Sequence, residues 1–270
     1  MTNKTFKLSK ILFILSLLLT FGFFSCSNNK KAQSEEQVEV TTPKTEVLVD
    51  ETNQTEIQSL TEQLENKATA FKERADPEKV KTYEAAIEKV AASGIIGNSK
   101  KEGDKAPNFT LPNATGKKIT LADKTKNGYT IITWYRGGWC PYCNLTLAAW
   151  QDILPEIKAE NIELIAITPE LPDSTLSTKE KNALEFEVLS DVGNKVAKDY
   201  GIVFPLDESI REAYKNMGLE KYNGDASYTL PLAATYIINS ENEIVYAFLD
   251  ADYKKRAEPR EVLQKVKDMK

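Results

Sequence analysis

Apolar and polar positions alternate in several distinct regimes along the 270 residues, and each regime predicts a different kind of segment. Ile11 to Phe24 is an apolar run behind Lys4, Lys7 and Lys10, shorter than the ~20 residues a membrane-spanning helix needs. Residues 1–25 therefore have the pattern of a targeting segment. Residues 26–54 are rich in Ser, Asn, Lys, Gln, Glu and Thr, with no period that could bury a face, and predict a flexible tether. Ile57, Leu60, Leu64, Ala68 and Phe71 then recur at three and four, which is helical spacing. Asp76-Pro77-Glu78 restarts the chain with a cap, a proline at the first helical position and an early acid, and Val80, Tyr83, Ile87 and Val90 continue the stripe to Gly94. A helical hairpin over residues 55–99 is expected, its apolar faces packing on the main domain.

From residue 100 to 270 the pattern shortens. Asn108–Leu111 and Lys118–Leu121, joined through Asn113-Ala114-Thr115-Gly116, predict a β-hairpin. Tyr129–Tyr135 is a near-continuous apolar strand, as burial on both faces requires. Pro141 opens an amphipathic helix carrying Leu145, Leu147, Ala148, Trp150, Ile153 and Ile157, and Ile162–Thr168 is a second buried strand. Strand, helix, strand makes a right-handed parallel unit. Helices are expected at Lys179–Ala183, Asp191–Tyr200 and Asp207–Met217, around a strand at Phe186–Leu189, with a loop at Tyr222–Ser227. A hairpin at Ala234–Asn239 and Glu243–Phe248 and a helix at Glu258–Met269 close the chain. The expected fold class is α/β: a central mixed sheet flanked by helices, preceded by the helical hairpin.

Composition narrows the chemistry. Net charge is −5, so no basic footprint suggests nucleic acid. Histidine is absent, which removes the commonest general base, the commonest neutral metal ligand and every Ser-His or Cys-His dyad. Only three cysteines occur. Cys26 follows the small residue Ser25 at the end of the apolar run, which resembles a bacterial lipoprotein signal. That resemblance implies lipidation at Cys26 and an exported, membrane-tethered lipoprotein of a bacterial cell envelope; an uncleaved signal anchor is the alternative.

Cys140 and Cys143 form a Cys-x-x-Cys where an apolar strand gives way to a helix. Thiols three positions apart on a helix's first turn are close enough to bridge. Amides and dipole at a helix N-terminus favour the thiolate, which is the nucleophile. A structural zinc site needs four Cys or His ligands, which the chain lacks, so no metal is expected; nor is a cofactor implied. A purely structural disulfide would close a very short loop and gain little entropy. A redox dithiol is expected, and exposure alone nominates Cys140 as its nucleophile. Arg136 either stabilises a thiolate or developing oxyanion, or is a solvated loop residue. Trp134 and Tyr135 are expected in the core; Trp139 and Tyr142 could pack or wall a pocket.

A strand-helix-strand unit carrying Cys-x-x-Cys, followed by two strands and a helix, resembles the thioredoxin pattern. More specifically, Gly103–Phe109, Tyr135-Arg136-Gly137-Gly138-Trp139-Cys140-Pro141-Tyr142-Cys143, Leu189–Asn194 and Asp250-Ala251-Asp252-Tyr253 resemble the peroxiredoxin-like branch of the alkyl hydroperoxide reductase and thiol-specific antioxidant family. The resemblance implies a thioredoxin-like fold, a hydroperoxide substrate and a thioredoxin-like reductant. In the family's register Cys143 takes the peroxide-attacking position and Cys140, in place of a hydroxyl residue, resolves it as a Cys140–Cys143 disulfide. Arg136 replaces the family's proline. The family's second arginine would fall near Ala233 and is missing there, while Pro231 is the nearest counterpart of the cis-proline of thioredoxin relatives. Two other functions use the same pair: a thiol-disulfide oxidoreductase acting on exported proteins through Cys140, and a non-enzymatic binding module with a permanently oxidised bridge.

Overall fold

The computed structural model describes residues 58–270. The signal segment, Cys26, the tether and Ile57 lie outside the described residues. β1 (Thr110–Pro112) and β2 (Lys118–Thr120) form the first hairpin, with Leu111 opposite Ile119. β3 (Thr130–Trp134), β4 (Glu163–Thr168) and β5 (Glu187–Ser190) run parallel. β6 (Val203–Pro205) and β7 (Thr229–Pro231) pair with each other in a small separate sheet. β8 (Thr235–Ile238) returns antiparallel beside β3, and β9 (Ile244–Phe248) beside β8. The central sheet has the order β5-β4-β3-β8-β9, so β3, which leads into the cysteines, occupies its middle.

Every residue of β3 is buried, Thr130 and Thr133 included, as its near-continuous apolar run leads one to expect. Alternate residues feed two cores. Ile132 and Trp134 join Ile165, Ile167, Tyr236 and Phe204 on one face. Ile131 and Tyr135 join Leu164, Leu147, Trp150 and Val262 on the other, where both cysteines also lie.

The two expected leading helices are present, at Leu60–Arg74 and Pro77–Ala92. Ser59 and Glu62 cap the first reciprocally, and the Asp76 carboxylate caps the second at its Pro77 start. They pack on the domain more than on each other. Leu60 and Leu64 enter the core beside Trp150 and Val262, whereas Ala86 enters the opposite core beside Phe204 and Ile210. Between themselves the helices meet at the Phe71–Tyr83 ring pair, 6.1 Å apart, and at the Lys72–Glu84 ion pair, 2.7 Å. The pair straddles the sheet as a clasp.

Several boundaries differ from expectation for local reasons. The Pro141 helix ends at Asp152, and Ile157 lies in a second helix, Leu154–Ala159. Pro155 has no N–H to continue the first ladder. The helix expected at Lys179–Ala183 spans Pro172–Lys181, with proline again near its start. Asp191 does not begin a helix. Its carboxylate accepts from the Val196 and Ala197 amides, so residues 191–194 form a turn ahead of Lys195–Asp199. A short helix, Leu219–Asn223, occupies the start of the expected loop, and the peptide bond before Pro231 is trans.

Candidate active site

After β3 the Tyr135 amide donates to the Ile167 carbonyl, and the chain turns through Gly137 and Gly138 into the helix Pro141–Asp152. Both glycines are sterically required. Gly137 has φ 150°, and a Cβ there would run into the Trp139 ring; one on Gly138 would run into the Thr178 side chain. This tight turn sets Cys140 at the N-cap and Cys143 in the first turn. Both are free thiols and buried, Cys140 at 2% exposure and Cys143 at 0%.

Arg136 is no solvated loop residue, being 2% exposed. Its Nη2 donates to the Tyr214 hydroxyl, and its guanidinium lies 3.9 Å from the Tyr253 ring centre and 5.1 Å from that of Trp139. Such stacking holds a cation over aromatic faces. Nε and Nη1 have no protein partner.

A second guanidinium reaches the site from an unexpected direction. Arg256, 7% exposed and beyond the last strand, points Nη2 to 3.5 Å from Cys143 Sγ. The site thus has two buried arginines, although neither Ala233 nor its neighbours supply one. No local cue distinguishes Arg256, which sits in the run Lys254-Lys255-Arg256 and reads as part of a solvated basic cluster.

Burial opposes ionisation of both sulfurs, and the two share what the arginines offer. For Cys140 the neighbouring Cys143 thiol, then Arg136 and Arg256, outweigh burial and bring the thiol down to about 5. For Cys143, burial and then the adjacent Cys140 thiolate push the thiol well up. The direction of both shifts places the thiolate of the reduced pair on the Cys140 side, where both guanidinium groups favour it.

Cys140, though buried, borders a cavity. This cavity of about 180 Å³ is lined by Arg136, Trp139, Cys140, Tyr142, Tyr214 and Tyr253 among others. Trp139 and Tyr142 do both, lining the cavity while they pack against the cores, and Trp134 and Tyr135 lie in the cores as expected. A larger cavity, about 520 Å³, lies by Lys89 and Arg211 and touches neither sulfur. On the far side of the Gly138 turn, the fully buried Glu170 accepts from the Gly138 amide at 3.0 Å and faces Thr178 at 3.5 Å. Burial pushes its carboxyl up to about 7. Among the described residues, no group of three or more His, Cys, Asp or Glu could hold a metal ion.

A pair of free thiols at a helix N-terminus, beside the middle strand of a mixed sheet, sits in a domain of thioredoxin-like fold. The chain belongs to the AhpC/TSA family, whose model matches residues 102–247. It is 27% identical over 160 residues to a chloroplastic peroxiredoxin Q of Triticum aestivum, covering 59% of this chain and 64% of that one. It is 32% identical over 108 residues to the thiol-disulfide oxidoreductase ResA of Bacillus thuringiensis, covering 40% of this chain and 61% of that one. The chain thus spans somewhat less than two thirds of these relatives. A peroxiredoxin-like protein from Aquifex aeolicus has the same fold, with TM-score 0.52 and 18% identity, covering 64% of this chain and 89% of the other.

Proposed function

We propose that the chain is a thiol peroxidase that reduces hydroperoxides through the Cys140–Cys143 pair, with a thioredoxin-like dithiol as electron donor. The observation that carries this reading is a thiolate-prone sulfur, Cys140, bordering a cavity that is also lined by a buried guanidinium with two unpartnered N–H groups.

We infer that Cys140 makes the first attack, reversing the roles that the family register gives the two thiols. The support is that Cys140 lines the cavity and its neighbours lower its pKa, whereas Cys143 does not line it and burial raises its own. The Cys140 thiolate attacks the terminal peroxide oxygen: an S–O bond forms, the O–O bond breaks, and the remaining oxygen leaves as alkoxide or hydroxide, which takes up a proton. Arg136 meets the charge as it develops. Cys140 is now a sulfenic acid, and the Cys143 sulfur displaces its oxygen, which leaves as water once protonated. The donor dithiol then returns two electrons and two protons by exchange.

A second reading has its own support in the Cys-x-x-Cys spacing and the resemblance to ResA: Cys140 attacks a disulfide instead of a peroxide. Stopped-flow oxidation of the reduced protein, with sulfenic acid trapped by a dione probe, separates the two readings. A rapid trap in Cys143→Ser and none in Cys140→Ser is the expected result. The opposite pattern would restore the register's assignment. Oxidation no faster than free cysteine in both variants, with a mixed disulfide captured in Cys143→Ser, would replace the peroxidase reading with the exchange reading.

A further inference from the structure

The cavity over Cys140 is completed by residues that the family model does not cover. Its match ends at residue 247 and begins at 102, yet Phe71, Lys79 and Tyr83 from the two leading helices line the cavity, as does Tyr253. The rings are linked: Phe71 meets Tyr83 edge-on at 6.1 Å, Tyr83 stacks on Tyr214 at 6.3 Å, and Tyr214 meets Trp139 at 5.5 Å. This ladder runs from the first helix down to the Arg136 guanidinium, 5.1 Å from the Trp139 ring centre.

We propose that the two leading helices are the specificity element of the site: they roof the cavity so that it takes organic hydroperoxides with a compact apolar body, aryl or branched alkyl, in preference to hydrogen peroxide. The proposal rests on the peroxidase reading above and concerns which peroxide the site selects. Three observations carry it. The space, about 180 Å³ and open to solvent on one side, is large enough for a single ring with its substituent, since an apolar cavity of ~150 Å³ accepts benzene. The walls are aromatic, so an apolar body gains from leaving water there, and hydrogen peroxide has no such surface to bury. The floor is polar in one place, where the unpartnered Nε and Nη1 of Arg136 can receive peroxide oxygens beside the Cys140 sulfur. The chemistry is unchanged: the thiolate takes the terminal oxygen, the O–O bond breaks and the organic fragment leaves as an alcohol after protonation.

Roof and floor come from different parts of the chain, so selectivity can be altered apart from the thiols. The test is stopped-flow oxidation of the reduced full chain by cumene hydroperoxide and by hydrogen peroxide, in the parent, in Phe71→Ala, which opens the roof, and in Met217→Trp, which fills the cavity from a position 44% exposed. The parent should prefer cumene hydroperoxide at least tenfold, and the ratio of the two rate constants should fall at least fivefold in both variants. Fast oxidation by both peroxides without preference in the parent, or a ratio that survives both substitutions, would overturn the proposal and leave the peroxidase reading standing. Oxidation by both peroxides no faster than free cysteine would overturn both.

Discussion

At the residue level the site depends on charges that the fold encloses. Arg136 and Cys140 come from one short motif; the place of Cys140 was legible because a helix start and a Cys-x-x-Cys are local patterns, whereas for Arg136 the sequence left a solvated loop position equally open. Arg256 and Glu170 were not legible. Their roles arise from contacts across 113 and 32 positions, and nothing in their immediate neighbours marks them as buried. Glu170 yields a pH signature. Burial raises its folded pKa to about 7 from 4.5, so between those values the native state keeps a proton that the unfolded chain has released. Stability therefore falls as pH rises from about 4.5 to about 7 on account of this group, and the loss persists above that range. Glu170→Gln keeps an oxygen for the Gly138 amide and removes the titration. The variant should melt several degrees above the parent at pH 8 with little difference at pH 4.5; equal melting differences at both values would refute this account of Glu170.

Among the elements, periodicity located most pieces and capping residues located their ends. The Pro77 start, the Pro141 start, β3 and the two hairpins sit close to where sequence spacing placed them. The misses have a common cause. β6 and β7 are three residues each, too short for alternation to register, and they exist because they pair with each other. At Asp191 an acid before a helical stripe resembles a cap, and its carboxylate does bind helix amides, but five and six residues onward across a turn. Where the leading helices would dock was equally beyond periodicity, which identifies an apolar face and not its partner. Leu64, 3% exposed beside Trp150 and Val262, tests whether the first helix belongs to the folding unit. Leu64→Ala should cost about 2–4 kcal/mol in denaturant unfolding, as other buried leucines do. A cost below about 0.5 kcal/mol would mean that this helix is only loosely attached.

For the whole molecule, two buried guanidinium groups face the reduced pair and favour a thiolate in it. Closing the disulfide removes that charge and leaves both cations enclosed without an anion, an arrangement that buried ions tolerate poorly. Charge balance should thus make the protein a better electron acceptor than its fold alone would. Its couple should lie above the roughly −270 mV of thioredoxin, because stabilising the dithiol form raises the potential. Heat should report the same imbalance. The reduced protein is expected to unfold at a higher temperature than the disulfide form, contrary to the usual effect of a crosslink, and Arg256→Met should narrow the gap. A disulfide form that outlasts the dithiol on heating would show that the arginines find other counter-charges. If the dithiol form outlasts it instead, the protein is held most firmly together when it is ready to react and loosens after each turnover, when a reductant must reach a sulfur that the fold otherwise conceals.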